Sequence, residues 1–481
     1  MTRSQRLTLV AAILGSAVAS IDATIVNVAL PAIERDLGGG LSAQQWVSNA
    51  YLLALGSLIL IGGSLGDIYG ERLVFATGVG LFGVFSIATA LAPSIDFLIG
   101  ARALQGAAAA LLTPSSLAII VTAFREKERG PAIGTWMAWG AVAGIIGPLA
   151  GGLIVDQLDW RWVFALNVPL VAATLVLIFA AVPRSTHVVD RKVDYTGALL
   201  CTLGLGGVVF ALIEQPHYGW SSATTLGPLI GGLVALAVFI TYERRTPQPM
   251  LKLELFRRRN FAIGNLQTLS MYGGLAILFF FLVIYLQQVA GYTALQSGLA
   301  TLPSTIIMFA LSKRFGALAD RYGPRFFMGV GPLVSAAGIL LLLGTGQHVN
   351  YFRDLLPALS VFSVGLAMTV SPLTAAVLAD ADETDAGIAS AVNNAVARVA
   401  GLLAVSFVGI VVASRLVGDS FARNSESVSA FHEVVLMCAA LVAVGGIVGA
   451  IGITNPRRDV RAEDCAGGHL VGAPAPSVSS S

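Results

Sequence analysis

The ten residues from Gly63 to Arg72 read GSLGDIYGER, and the chain writes them again as GALADRYGPR from Gly316 to Arg325. Gly63, Leu65, Asp67, Tyr69, Gly70 and Arg72 recur at one constant offset as Gly316, Leu318, Asp320, Tyr322, Gly323 and Arg325. Each copy is a short polar turn between two long apolar runs. A turn repeated in this way predicts a repeated domain, two sets of membrane-crossing helices around a shared midplane. The glycines permit tight backbone geometry there, and Asp67 with Arg72 can clamp neighbouring helix ends. We expect this element to latch one state of a moving protein, not to touch a ligand.

Composition agrees with a membrane protein. Of 481 residues, 56% are hydrophobic and 12% charged, against about 25% charged in an ordinary soluble domain. Spread over helices of about 20 residues, that much apolar surface suits a polytopic membrane chain. The net charge of +2 is too small to point to nucleic acid. Cys201, Cys438 and Cys465 have no metal-ligand spacing and no pattern of a disulfide framework. Arg3 and Arg6 precede an apolar run that is too long for a signal peptide and lacks a small-residue cleavage site, so it reads as the first span.

Fourteen spans are predicted, near 8–31, 45–66, 74–93, 95–120, 131–156, 160–182, 195–214, 225–242, 261–288, 296–318, 326–345, 353–379, 387–414 and 431–453. The first turn joins spans two and three, and its copy joins ten and eleven. The reading is therefore an all-α protein of two six-helix pseudo-repeats, residues 1–182 and 261–453. Two inserted helices lie between them in 183–260, and 454–481 form a disordered polar tail. Most of the 29 Lys and Arg residues fall on segments that share a side with the N-terminus. Both termini and both repeated turns are accordingly expected in the cytoplasm.

Asp22 sits inside the first span, in SIDATIVNVALP. A carboxylate at that depth costs roughly 2.5–3.5 kcal/mol on insertion scales, so it should face the bundle interior. Arg102, in LIGARALQGAAAA of span four, lies at a matching depth when a rise of about 1.5 Å per residue is laid across a core of about 30 Å. Burial raises the carboxylate's proton affinity and the arginine lowers it, so opening the site could move a proton. A pair that only fixes helix packing is the alternative on the residues alone. In span five, GAVAGIIGPLAGG carries Gly140, Gly144, Gly147, Pro148, Gly151 and Gly152. Spacing alone gives them close packing and a possible hinge. Asn27, Trp46, Gln105, Trp136, Trp139, Asn265, Gln267, Tyr272, Asn393, Asn394 and Arg398 are candidates to line a cavity or to pack between helices. Trp160 and Trp162 look like interfacial anchors. Asp380, Asp382, Glu383 and Asp385 read as a solvated loop. No HExxH, phosphate loop or CxxC pair appears, so an enzyme is not expected, nor a metal.

Together these stretches resemble the major facilitator superfamily, and within it the fourteen-helix drug:proton antiporter branch, over about residues 8–453. GSLGDIYGER is similar to the cytoplasmic loop signature, with Ile68 and Glu71 as departures. LIGARALQGAAAA resembles the fourth-helix motif and implies a proton-coupling role for Arg102. GAVAGIIGPLAGG resembles the fifth-helix antiporter motif, and DATIVNVALP the first-helix motif, which implies protonation of Asp22. WRWVFALNVP and YLQQVAGYTALQSGLATLP are also typical of the branch. The resemblance implies proton-driven export of a small amphipathic drug, dye or antibiotic across the plasma membrane by a monomer without cofactor. An endogenous metabolite or lipid as cargo, or a non-transporting receptor or scaffold, are the alternatives. Unlike many polyspecific relatives, this chain has no acid in the middle of a span after Asp22. That weakens export of dications and leaves monocationic, zwitterionic or neutral cargo.

Overall fold

The computed structural model describes residues 1–183, 193–379, 386–416 and 420–455. The tail beyond 455, the acidic group Asp380 to Asp385 and residues 184–192 of the first long link lie outside the described residues. Among the described residues fourteen helices are long and apolar enough to cross a membrane. In chain order α1–α6 are Arg3–Leu37, Gly40–Tyr69, Glu71–Ala90, Ile95–Ala123, Glu126–Gln157 and Arg161–Ala181. The pair α7 and α8 is Tyr195–Tyr218 and Ala223–Glu243. Then α9–α14 are Arg259–Gln288, Ala294–Tyr322, Pro324–Gly344, Tyr351–Val377, Ile388–Ala413 and Ser425–Gly452. All fourteen predicted spans are present, and many helices run past the predicted ends. In α1, α10 and α14 the added residues begin at a side-chain cap, which hydropathy does not register. The Thr2 hydroxyl and the Gln5 side chain close a capping box that starts α1 at Arg3.

The two sets of six helices pack alike. Helix α2 lies on α4, α3 on α4, α1 on α5 and α6, and α3 on α6. The second set repeats each pairing, α10 on α12, α11 on α12, α9 on α13 and α14, and α11 on α14. The sets meet through α5 against α10 and α2 against α13, a symmetric exchange of contacts. Helix α7 wedges against α2 and α13 and carries α8 on its outer side. Close approach within that pair relies on glycine. A Cβ on Gly207 would run into the Pro228 carbonyl, and one on Gly232 into the Gly204 carbonyl.

The repeated turns match down to side chains. Gly70 and Gly323 each end a helix at φ 90° and 89°, a conformation that costs glycine nothing and other residues strain. From the first turn the Arg72 guanidinium donates to the Phe179 carbonyl at 3.0 Å, in the last turn of α6. From the second, Arg325 donates to the Ala450 carbonyl at 2.7 Å, in the last turn of α14. Each arginine thus caps the sixth helix of its own set, satisfying an orphan carbonyl and complementing the negative end of the helix dipole. The arginine half of the clamp expected of Asp67 and Arg72 is present, and Arg325 makes the matching contact in the second set. For this chain the partners are α6 and α14.

Gly106 shows how tightly α2 and α4 meet, because its missing Cβ would strike the Tyr51 backbone carbonyl. Overpacking of this kind costs about 1–3 kcal/mol. Gly106→Val is therefore expected to lower the thermal unfolding midpoint of the protein in detergent by several degrees. A midpoint equal to that of the parent protein would contradict this packing.

Candidate functional site, a caged carboxylate between the first six helices

Asp22 and Arg102 do meet. The Arg102 Nη1 donates to Asp22 Oδ2 at 2.6 Å, and the two side chains are 1% and 0% exposed. Two helices at matching depth place them: Asp22 lies mid-way along α1 and Arg102 two turns into α4.

The ion pair sits inside a larger cage. Gln105, one turn after Arg102 on the same face of α4, donates to Asp22 Oδ1 at 3.1 Å and accepts from Arg102 Nη1 at 2.7 Å. Asn167 Nδ2 donates to the same Asp22 oxygen at 3.0 Å. The Ser86 hydroxyl of α3 accepts from both amides, at 2.8 Å from Gln105 and 3.3 Å from Asn167. Arg102 has further partners. Its Nε donates to the Val47 carbonyl at 3.2 Å, and its guanidinium lies 4.3 Å above the Tyr51 ring and 5.7 Å from that of Phe164. Such rings attract a cation most where water is excluded. The carboxylate therefore has one cation and two amide donors. The cation has three acceptors and two aromatic faces.

Asn167 is carried by the second turn of α6, which stays helical through Leu166 at φ −56° and ψ −30°. Pro169 cannot donate to the carbonyl four residues before it, and its ring crowds that carbonyl.

The remaining sequence candidates divide by place. Gln105 belongs to the cage. Trp46 Nε1 donates to Glu214 at 2.7 Å and its ring packs on Phe210, so it faces α7. Trp136 donates to Ser16 at 2.8 Å, joining α5 to α1. Gln267 donates to the Met328 carbonyl at 2.6 Å, and Asn393 to Asn265 at 3.1 Å and Thr268 at 2.8 Å. These hold helices of the second set together. Asn27, Tyr272 and Arg398 are half-buried, and Asn394 and Trp139 are exposed. Trp160 is buried and donates to Asp36 at 3.0 Å, whereas Trp162 is exposed.

The glycines of α5 also divide. Gly147 and Gly151 lie against Thr24 and Ile25 of α1, and Gly152 against the Leu295 backbone of α10. Gly140 and Gly144, closer to the face that carries the repeated turns, have nothing within 4 Å of their Cβ positions. The two sets of helices touch mainly in the half away from the turns. There the Asp156 carboxylate of α5 accepts from the Ala294 and Leu295 backbone N–H groups at 2.9 and 2.8 Å, capping α10. Glu34 accepts from Gln288 at 3.3 Å and Ser420 at 2.7 Å. Gln287 donates to the Val28 carbonyl at 3.0 Å, Gln45 to the Val405 carbonyl at 2.7 Å and Asn49 to Ser406 at 2.9 Å. These contacts close the face opposite the turns.

A helical membrane protein of two pseudo-symmetric six-helix sets, meeting across a midplane with a charged pair inside the first, has the architecture of a transporter. The chain belongs to the Major Facilitator Superfamily, whose family model matches residues 12–405. It is 35% identical over 417 residues to the multidrug resistance protein Stp of Mycobacterium tuberculosis, covering 86% of this chain and 77% of that one. It is 34% identical over 427 residues to the tetracenomycin C resistance and export protein of Streptomyces glaucescens, with the same coverage of the two chains, 86% and 77%. In fold it is similar to a bacterial homologue of the human lysosomal transporter Spinster, solved inward-facing and unoccupied. The TM-score is 0.68 at 14% identity, over 94% of this chain and 97% of that one.

The cage makes an asymmetric expectation. Arg102→Ala removes the cation that pairs with a buried carboxylate and opens a void, a loss of about 3–5 kcal/mol. Asp22→Asn keeps an acceptor for an arginine that the Val47 carbonyl, Gln105 and two rings still hold. Thermal unfolding should show the arginine variant much the less stable of the two, and equal losses would argue against this division of roles.

Proposed function

We propose that the chain exports a small amphipathic compound, drug or antibiotic in exchange for a proton, by alternating access between its two six-helix sets. The sealed Asp22–Arg102 pair carries this reading. A carboxylate buried at mid-membrane is expensive unless it titrates to a purpose, and a partner that stabilises its charged form sets when it does so. The names of the relatives, a multidrug resistance protein and an antibiotic resistance and export protein, support the cargo class.

The excess of Lys and Arg on the turn face makes that face cytoplasmic, with both termini on the same side of the plasma membrane. On this reading the arrangement, closed on the face opposite the turns, corresponds to an inward-facing state. A proton leaving Asp22 to the cytoplasm lets Arg102 lock α1 to α4, and cargo binds. After the switch, an outside proton neutralises Asp22. Arg102 keeps the Val47 carbonyl, Gln105 and its rings, so the cation is never bare while the link between α1 and α4 loosens. No cofactor is needed beyond the proton gradient, and a monomer holds the whole site. One proton is worth roughly 2.3 kcal/mol per 100 mV, enough for a cargo gradient of about fifty-fold if a single charge moves.

The test uses inside-out vesicles energised by respiration, with a pH-sensitive dye and a panel of neutral, cationic and anionic amphipathic compounds. Some compounds should discharge the gradient with the parent protein and not with Asp22→Asn at equal membrane levels. Export that persists after full collapse of the proton gradient would sink the coupling.

A further inference from the structure

Arg398 is the one mid-span charge that the cage does not explain. It lies twelve residues into its helical segment, which begins at Ala386, about 18 Å along the axis. Its Cβ is 3.4 Å from the Cβ position of Gly56 on α2, so it stands on the seam between the two sets of helices. Along α13 the residues on either side are committed. Asn393 bonds into α9, Ala395 packs on the core of the first set, and Ser406 bonds to Asn49 of α2. Arg398 falls between the α2 and α9 contact faces, where α13 borders the space between the sets.

Among the described residues Arg398 has no ion pair and no hydrogen bond. The mid-span carboxylate, that of Asp22, is already satisfied by Arg102, Gln105 and Asn167. The acids nearest to mid-span otherwise sit toward helix ends, such as Asp156, which caps α10, and Glu214, which accepts from Trp46. Among the described residues Arg398 is therefore a mid-span positive charge without a counter-charge.

The helices packed against α13 carry two hydroxyl-bearing rings, Tyr51 on α2 and Tyr272 on α9. Tyr51 is 1% exposed, and its hydroxyl has no hydrogen-bond partner among the described residues. A buried hydroxyl left without a partner costs about 1–3 kcal/mol, a cost that a ligand atom would remove. The guanidinium presents a planar fork that fits a carboxylate or another delocalised anion.

We propose that Arg398, with the Tyr51 and Tyr272 hydroxyls, is the subsite for an anionic group of the cargo, so that the exported compound is an amphipathic acid. This rests on the exporter reading and names the charge of its cargo. The sequence had left neutral, zwitterionic and monocationic compounds open. Export of a monoanion against one proton would move two charges per cycle, so the membrane potential would act on the exchange more strongly than on export of a neutral compound.

The test is equilibrium binding to the full chain in lipid nanodiscs, read by fluorescence anisotropy of three probes on one ring system. These are anthracene-9-carboxylate, its carboxamide, and 9-anthracenylmethylammonium. The acid should bind about tenfold tighter than the amide, the size of one good charge-assisted contact. Arg398→Gln should abolish that preference, so that the acid binds no tighter than the amide. Arg398→Lys should keep most of it, and guards against a glutamine variant that fails to fold. Tyr272→Phe should weaken the acid alone. An amide or ammonium probe that binds as well as the acid, no saturable binding of the acid, or a preference that survives Arg398→Gln overturns the subsite. The vesicle assay separates the two readings. Gradient discharge without acid preference keeps the exporter and removes the subsite, and acid preference without discharge does the reverse.

Discussion

The burial of the Asp22 carboxylate is the constraint on which the first six helices are built. Water cannot reach it, so protein groups must replace hydration, and they come from four different helices. Arg102 and Gln105 are supplied by α4, Ser86 by α3, Asn167 by α6 and the flanking Tyr51 ring by α2. A network of this extent fixes the packing of those helices, because each lost member would strand a further polar atom in low dielectric beside Asn167 Oδ1 and the Tyr51 hydroxyl, which lack a partner among the described residues. Yet a proton taken up by Asp22 would remove the charge around which the cage is built. A structural ion pair and a coupling site are built from the same parts, and what distinguishes them is whether a motion can open the cage.

That motion has visible hinges. The sets meet through α5 with α10 and α2 with α13, and the contact is made in the half away from the repeated turns. Helix α5 bears on α1 at Trp136, which donates to Ser16, and again at Gly147 and Gly151, so the helix that touches Asp22's neighbours Thr24 and Ile25 is also the helix that closes on α10. Pro148 sits at the crossing, where the missing backbone donor makes bending cheap. A shift of α1 that follows a change of charge on Asp22 would be felt at Gly147 and Gly151 and passed to the Gly152–Leu295 contact.

Much of this was legible in the chain. The repeated turn disclosed the two sets of helices, and depth along α1 and α4 paired Asp22 with Arg102 before any coordinates. Gln105 carried a signal, a polar residue one turn from Arg102, but its position fitted a cavity as well as a cage. Asn167 was missed although it stands in an apolar span just before Pro169. That pairing of a mid-span amide and a helix breaker was the available clue. Ser86 and Tyr51 gave none, since a serine or tyrosine in an apolar helix is ordinary and only the fold says what it faces. Trp46 and Gln267 show the converse limit. Both are polar-tipped residues inside spans, and the structure turns one to α7 and the other to a backbone carbonyl of α11.

The position of the inserted pair follows from the same geometry. Helix α7 lies against α2 and α13 together, and α8 touches the rest of the molecule chiefly through α7. The seam between α2 and α13 is one of the two places where the sets meet, so α7 rides on an interface that must change as access alternates. Its contacts there are Trp46 with Glu214 and Phe210, and the apolar cluster of Val209, Ile213 and Leu402. They are side-chain contacts of moderate reach, unlike the glycine-mediated backbone contact between α7 and α8. Close packing joins the inserted helices to each other, and looser packing joins them to the moving seam. A pair built in this way can stay a rigid unit while the sets slide beneath it, keeping lipid from the edge of the space that Arg398 borders.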